Sequence, residues 1–190
     1  FDAQAVAAAR AFFAQHRIAD EDAALDAWLL AEIEASETRL RDAGDLRGLT
    51  EALLARQQME TGDARARTLR RVANLFRERL DDPESAAWCL LSHLEDHPAD
   101  DAALTEVIEL LPRMGKPADT AGRLHALATT ATGATRVRLA RAAVTAWQAA
   151  GQAQDARAAL ELALDGAPSD AALLRQALDA SFDDPEARIR

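Results

Sequence analysis

Three side chains that bind metals lie four residues apart in one segment: Cys89, His93 and His97. In a helix, histidines four residues apart share one face, and such a pair binds zinc in the His-Glu-x-x-His proteases. Glu95 is not at the position where that motif places its glutamate. The first and last of the three residues would lie about 12 Å apart, too far to share one ion. A metal-dependent enzyme that uses His93 and His97 is therefore only an alternative, because the pair lacks a third metal ligand. We expect no metal or cofactor.

Charge alternates in blocks along the chain. Residues 61–80 carry six arginines and two acids, residues 81–111 carry nine acids and no base, and residues 112–141 carry six bases and one acid. Arginine binds carboxylates through two parallel hydrogen bonds. The basic blocks are therefore where we expect a ligand, and an acidic peptide or a C-terminal carboxylate is the ligand class that fits them.

Composition excludes several classes of protein. The chain has 190 residues, a net charge of −10 and a single cysteine, which excludes an internal disulfide framework and a cysteine-rich zinc module. The negative balance argues against a nucleic-acid partner, because phosphate binding needs an excess of basic residues. No apolar run approaches the roughly 18 residues of a membrane span, so we expect no membrane partner. The eight glycines do not cluster into a phosphate loop, and we expect no catalytic residues.

Apolar residues recur at three and four positions, the period of a helix. Leu69, Val72, Phe76 and Leu80 show this spacing, and β-branched residues nowhere alternate with polar ones. We therefore predict an all-α chain of about ten helical segments. The acid-rich N-terminal helix is expected to expose its acidic face to solvent; its acids are Asp20, Glu21, Asp22, Asp26, Glu32, Glu34 and Glu37.

The breaks between helices carry recognisable signals. Asp81-Asp82-Pro83-Glu84 predicts a helix start, because aspartate caps free N–H groups and proline fits the first helical position. Residues 183–186 repeat the same four letters. Four glycines suit the left-handed position that ends a helix: Gly44, Gly62, Gly115 and Gly133. Connections are therefore short, which favours antiparallel neighbours.

The sequence repeats internally at an offset of 70 residues, where 86–104 falls on 156–174. The matching pairs include Leu90 with Leu160, Leu94 with Leu164, Pro98 with Pro168 and Asp100 with Asp170. This offset is two units of 35, a period typical of stacked helix pairs. The repeat partners of Cys89, His93 and His97 are all alanines, which favours a packing role for those three residues.

The unit from Val137 to Pro168 resembles a tetratricopeptide repeat. The residues that match that family's pattern are Trp147, Gly151, Ala156, Leu160, Ala163 and Pro168. The unit from Arg67 to Pro98 keeps Ala86, Leu90 and Pro98 but has Arg77, Asp81 and His93 where an aromatic, a glycine and a small residue are expected. The resemblance implies an α-solenoid of antiparallel helix pairs with a right-handed superhelix.

The resemblance also implies a place for the ligand, because the first helices of tetratricopeptide repeats line a concave, peptide-binding groove. By position, the residues that would face this groove are Thr68, Arg71, Thr105, Arg138 and Arg141. The asparagine that carboxylate-clamping members use is replaced by Leu75 and Thr145. In the alternative interpretation, these arginines pair with the acidic second helices of neighbouring units.

The sequence therefore predicts a non-catalytic interaction or scaffold module that binds a peptide or helix of a partner. Residues 1–62 are expected to form N-terminal helices of a degenerate or capping repeat, and residues 63–190 tetratricopeptide-like repeats with an incomplete last unit. That last unit leaves two expectations: the sequence is a piece of a longer protein, which we favour, or its final helix pairs with another molecule. The second would make the chain a self-assembling or regulatory domain that forms a homo-oligomer.

Overall fold

The computed structural model describes residues 8, 11–12 and 21–182. The described part of the chain is all-helical, as predicted, and contains nine α-helices and no β-strand. The helices are α1 (Glu21–Asp42), α2 (Leu46–Met59), α3 (Gly62–Leu75), α4 (Pro83–Asp96), α5 (Asp101–Leu110), α6 (Pro117–Thr130), α7 (Gly133–Ala149), α8 (Ala153–Gly166) and α9 (Ala171–Phe182). A π-helical turn (Phe76–Leu80) precedes α4, and a 3₁₀ turn (Leu111–Arg113) follows α5.

The predicted start of α4 is confirmed. Asp82 is the N-cap, and its Oδ1 accepts a hydrogen bond from the Ser85 amide at 2.9 Å, with Pro83 as the first helical residue. Gly44, Gly62 and Gly133 have positive φ, as predicted, but Gly115 does not. The second Asp-Asp-Pro-Glu motif, at 183–186, lies outside the described residues.

The chain divides into two compact units, Phe1–Leu75 and Phe76–Arg190. In the first, α1 packs on α2 and α2 packs on α3. Ile33, Leu53, Leu69 and Val72 are fully buried and form the centre of this core. Leu69 and Val72 are two of the residues whose helical spacing marked the apolar face of α3.

The expectation of a fully solvated acidic face on α1 is wrong at Glu37, which is only 3% exposed. Its Oε1 lies 3.2 Å from Nη1 of Arg56 on α2, and its Oε2 lies 2.9 Å from Nη1 of Arg71 on α3. Arg56 also donates from Nε to Glu60 at 2.6 Å, and this hydrogen bond is the main reason that its pKa is raised. The basic helices supply the counter-charges that allow this glutamate to be buried.

In the second unit, each helix packs against the next one or the one after it. Successive helices pack as α4 with α5, α6 with α7, α7 with α8 and α8 with α9. Helices two apart also pack, which gives two interleaved series: α4, α6 and α8 in one, and α5 with α7 in the other. Alanines at the predicted small positions, Ala86, Ala156 and Ala163, are buried and allow close helix packing.

None of the described helices is both long enough and apolar enough to cross a membrane.

Candidate binding cleft

In the first unit, the predicted groove residues lie on α3. The guanidinium of Arg71 is partly exposed, but it donates to the buried carboxylate of Glu37 in the same unit. Thr68, three residues earlier, is buried. The carboxylate of Glu37 thus occupies the position that an acidic ligand of Arg71 would take, and Thr68 offers little surface to a partner.

In the second unit, the predicted arginines lie on α7 and are paired with acids at helix starts. Arg138 donates to Asp101, the first residue of α5. Arg141 is 52% exposed, and its Nη1 lies 3.7 Å from Oδ2 of Asp170, just before α9. Thr105 is exposed and donates its hydroxyl proton to the carbonyl of Asp101 at 2.8 Å.

The alternative interpretation, that these arginines pair with the acidic second helices of neighbouring repeats, is wrong in its location. Arg138 and Arg141 do pair with acids of the chain, but those acids do not lie in second helices. Asp101 and Asp170 stand at the starts of α5 and α9, which are first helices of the predicted repeat, rather than in second helices. The ion pairs link helices two apart in the chain. They partly neutralise the basic face that the sequence suggested as a binding surface.

The Cys89, His93 and His97 segment lies on and just after α4. His93 is buried, and its Nε2 lies 2.8 Å from Oδ2 of Asp100, the N-cap of α5. Burial raises the pKa of the Cys89 thiol to about 12, so the thiol is protonated at neutral pH. Within the described residues, no three histidine, cysteine or acidic side chains are grouped to hold a metal ion. The contacts seen here join α4 to the start of α5.

An open cleft of about 610 Å³ lies between α4 and the first half of α6 in the second unit. Most of the exposed surface that lines it is apolar. The lining residues are Glu84, Ser85, Trp88, Leu91, Gly115, Lys116, Asp119, Thr120 and Arg123. Trp88 is 47% exposed, which is unusual for a large apolar side chain in this chain's described part. Half-exposed tryptophans in apolar clefts are typical energetic centres of protein interfaces.

Arg123 holds one side of the cleft in place. Its guanidinium lies over the Trp88 ring, 5.8 Å from the ring centroid, in cation–π geometry. It also donates to the carbonyl of Trp88 at 3.3 Å, to Ser92 Oγ at 3.1 Å and to Glu95 at 2.5 Å. The hydrogen bonds position the guanidinium, and the guanidinium covers one face of the indole.

The opposite side of the cleft is closed by the turn before α6. The Gly115 amide donates to Oε1 of Glu84 at 2.7 Å, so the start of α4 is tied to this turn. Lys116 and Asp119 are exposed on the rim, and neither forms an ion pair with another described residue. The cleft therefore combines an apolar wall, formed by Trp88 and Leu91, with charged groups that are accessible to solvent.

Sequence reasoning did not single out Trp88. The signal was its departure from the internal repeat, since the residue 70 positions later is Ala158. Arg123 lies 35 positions after Trp88, so the two residues occupy equivalent positions in adjacent 35-residue repeats of the sequence. A tryptophan and an arginine in place of a small residue, one repeat apart, mark the cleft once the period is known.

The chain matches no protein-family model, and a search of curated proteins finds no relative for it.

Proposed function

We propose that this chain is a non-catalytic protein-binding module that holds a segment of a partner protein in the Trp88 cleft. The observation that carries the proposal is a half-exposed tryptophan, with Arg123 over its ring, in a cleft of about 610 Å³ whose exposed surface is mostly apolar. A cleft of this size accommodates one or two large side chains of a partner. Burying them against the indole would supply the central apolar contact of the interface.

The proposed framework is a tetratricopeptide-like, right-handed solenoid of antiparallel helix pairs. It is supported by the two interleaved helix series of the second unit and by turns that repeat after 70 residues. Asp100 accepts the amide proton of Ala103 at 3.0 Å, and Asp170 accepts that of Leu173 at 3.2 Å, so equivalent residues cap α5 and α9. In this framework the cleft lies between two second helices, opposite the predicted concave groove.

The proposal is tested by removing the indole. The immobilised chain is incubated with lysate of its source, and bound proteins are quantified for the wild type and for Trp88→Ala. Because Trp88 is half exposed, the variant should keep its helical circular dichroism and lose the partner. Leu178→Ala removes another exposed apolar side chain, 59% exposed on α9, and is the matched control that should retain the partner. Equal retention by both variants, or no specific partner at all, overturns the proposal.

A second candidate surface is the face of α5 and α7 that carries Thr105 and Arg141. Arg138 and Asp101 pair across these helices, and Thr105 and Arg141 lie about one turn further along each of them. Arg141 favours this surface because it is half exposed and its ion pair is long. Arg141→Glu should then weaken binding of an acidic peptide at unchanged helical content, because its side chain is half exposed. Unchanged affinity rejects this surface.

Self-association is the remaining proposal from the sequence. Leu174 and Leu178 are exposed one turn apart on α9, while Leu173 is buried. A second copy that covers these leucines would make the chain a homo-oligomer. Light scattering over a range of protein concentrations tests this, and a strict monomer removes it.

A further inference from the structure

The charges around the Trp88 cleft indicate the chemistry of its partner. Arg123 is already paired with Glu95, so its positive charge is compensated within the chain. The remaining charged groups of the lining are Glu84, Asp119 and Lys116. None of these three forms an ion pair with another described residue. Two carboxylates and one ammonium group therefore leave the rim with an excess of negative charge.

The two carboxylates, of Glu84 and Asp119, have the same spacing in the sequence as Trp88 and Arg123, the two residues that form the aromatic wall of the cleft. Glu84 and Asp119 lie 35 residues apart, the same separation as Trp88 and Arg123. Each carboxylate lies in the first turn of its helix, four residues before the corresponding wall residue. Both therefore stand about one turn from the aromatic wall, at the same end of the cleft.

Helix structure explains why acidic residues stand in these first turns but not why they border a cleft. The positive ends of the α4 and α6 dipoles stabilise negative charge in the first turn. Asp155 in the first turn of α8 has the same advantage. At the repeat position equivalent to Glu84 and Asp119, however, α8 has Gln154, and it has Ala158 in place of the aromatic wall residue. The acids and the tryptophan occur together only where the cleft is found.

We infer that the segment bound in the Trp88 cleft is basic, and this inference rests on the proposed function of the cleft. An arginine or lysine of the partner lays its aliphatic stem against the indole of Trp88 and ends at Glu84 and Asp119. Long basic side chains commonly cover apolar surface in this way, with the charged head in water. The accessible part of the indole adds a cation–π attraction. The net charge of −10 also favours approach of a basic partner.

The experiment uses three fluorescein-labelled helical peptides of equal length with a central phenylalanine. The phenylalanine is flanked by arginines in one peptide, by glutamines in the second and by glutamates in the third. Fluorescence anisotropy measures the affinity of the intact chain for each at low salt. The arginine peptide should bind about fivefold more tightly than the glutamine peptide, and the glutamate peptide most weakly.

Substitutions on the rim assign this preference to the cleft. The double variant Glu84→Gln, Asp119→Asn should bind the arginine and glutamine peptides equally. Lys116→Gln should bind the arginine peptide about twofold more tightly, because a like charge is removed. Asp155→Asn is the matched control, since it removes a first-turn acid on α8, and it should change nothing.

The outcomes separate the inference from the proposed function. Equal binding of all three peptides that is lost in Trp88→Ala overturns the inference and supports the cleft as a binding site. A preference for the glutamate peptide also overturns the inference. So does the absence of binding by all three peptides. An arginine preference that persists in Trp88→Ala overturns both, because the basic segment would then bind elsewhere.

Discussion

Asp81 and Gly151 both have positive φ, although they are 70 residues apart in the sequence. Asp81 has φ of 53°, and Gly151 has φ of 70°. Asp81 is the only described non-glycine residue with positive φ. Each lies two residues before the first residue of its helix, α4 or α8. The internal repeat therefore keeps positive φ at this position even where it does not keep the glycine.

Replacing Asp81 with glycine should stabilise the protein by about 0.5–1 kcal/mol, because glycine adopts positive φ without steric cost. The variant loses the contact between Asp81 and Arg113, but Asp81 is highly exposed and such pairs contribute little. Urea denaturation followed by circular dichroism measures the change. Gly151→Ala should destabilise by about 1 kcal/mol, and Arg113→Gln isolates the lost ion pair. A destabilised Asp81→Gly variant would contradict this account.

Neutralising Glu37 should destabilise the first unit, because Arg56 and Arg71 would lose a buried counter-charge and Arg41, 3.9 Å away, a more distant one. We expect Glu37→Gln to cost about 1–3 kcal/mol, less than for a fully buried pair, since Arg56 and Arg71 both reach solvent. Glu34→Gln is the matched control: Glu34 also lies near Arg56, at 3.4 Å, but its side chain is 61% exposed. The control should cost less than about 0.5 kcal/mol. Equal losses of unfolding free energy would show that burial of Glu37 is not important.

The fold was predictable where the signal is local. Asp82 caps α4 because its carboxylate reaches an amide three residues away, and such short-range chemistry is visible in the sequence. The period of 35 residues was visible too, because buried alanines and leucines recur with it. The cap and the period both depend on residues that contact their own helix or a neighbouring one.

The site was less predictable, because it depends on which distant residues meet. Arg71 was expected to face a ligand, but its carboxylate partner lies 34 residues earlier on a helix that was expected to be solvated. Trp88 would ordinarily be assigned to a core. It is exposed because Arg123 of α6 and the turn at Gly115, rather than a large apolar side chain, face it across the cleft.

His93 and Asp100 should be energetically coupled, since His93 Nε2 and Asp100 Oδ2 lie 2.8 Å apart in a largely buried setting. A double-mutant cycle of His93→Ala and Asp100→Ala should give a coupling free energy of about 0.5–1.5 kcal/mol. Asp170 caps α9 as Asp100 caps α5. The residue that corresponds to His93 in that repeat is Ala163, so Asp170 has no histidine partner there. Asp170→Ala should therefore cost the cap, about 1 kcal/mol, and at most a few tenths of a kcal/mol more for its long, exposed ion pair with Arg141. Additive effects of His93→Ala and Asp100→Ala would exclude the coupling.

Cys89 should make the protein lose stability in alkali. Burial raises the pKa of its thiol from 9.0 to about 12 in the folded chain, so the unfolded chain releases this proton at lower pH. The thiol's contribution to the free energy of unfolding should therefore be constant below about pH 9 and fall by up to about 1.4 kcal/mol per pH unit between 9 and 12. The chain has no tyrosine and one lysine, so few other groups titrate in this range.

Urea denaturation at a series of pH values measures this slope, and Cys89→Ala provides the reference. The alanine variant should lose about 1 kcal/mol or more at neutral pH because a small cavity forms, but its stability should depend much less on pH above 9. The native thiol should also react slowly with iodoacetamide at pH 8 and rapidly in denaturant, because the thiolate is the reactive form. An identical alkaline slope in wild type and variant would show that another group controls the transition.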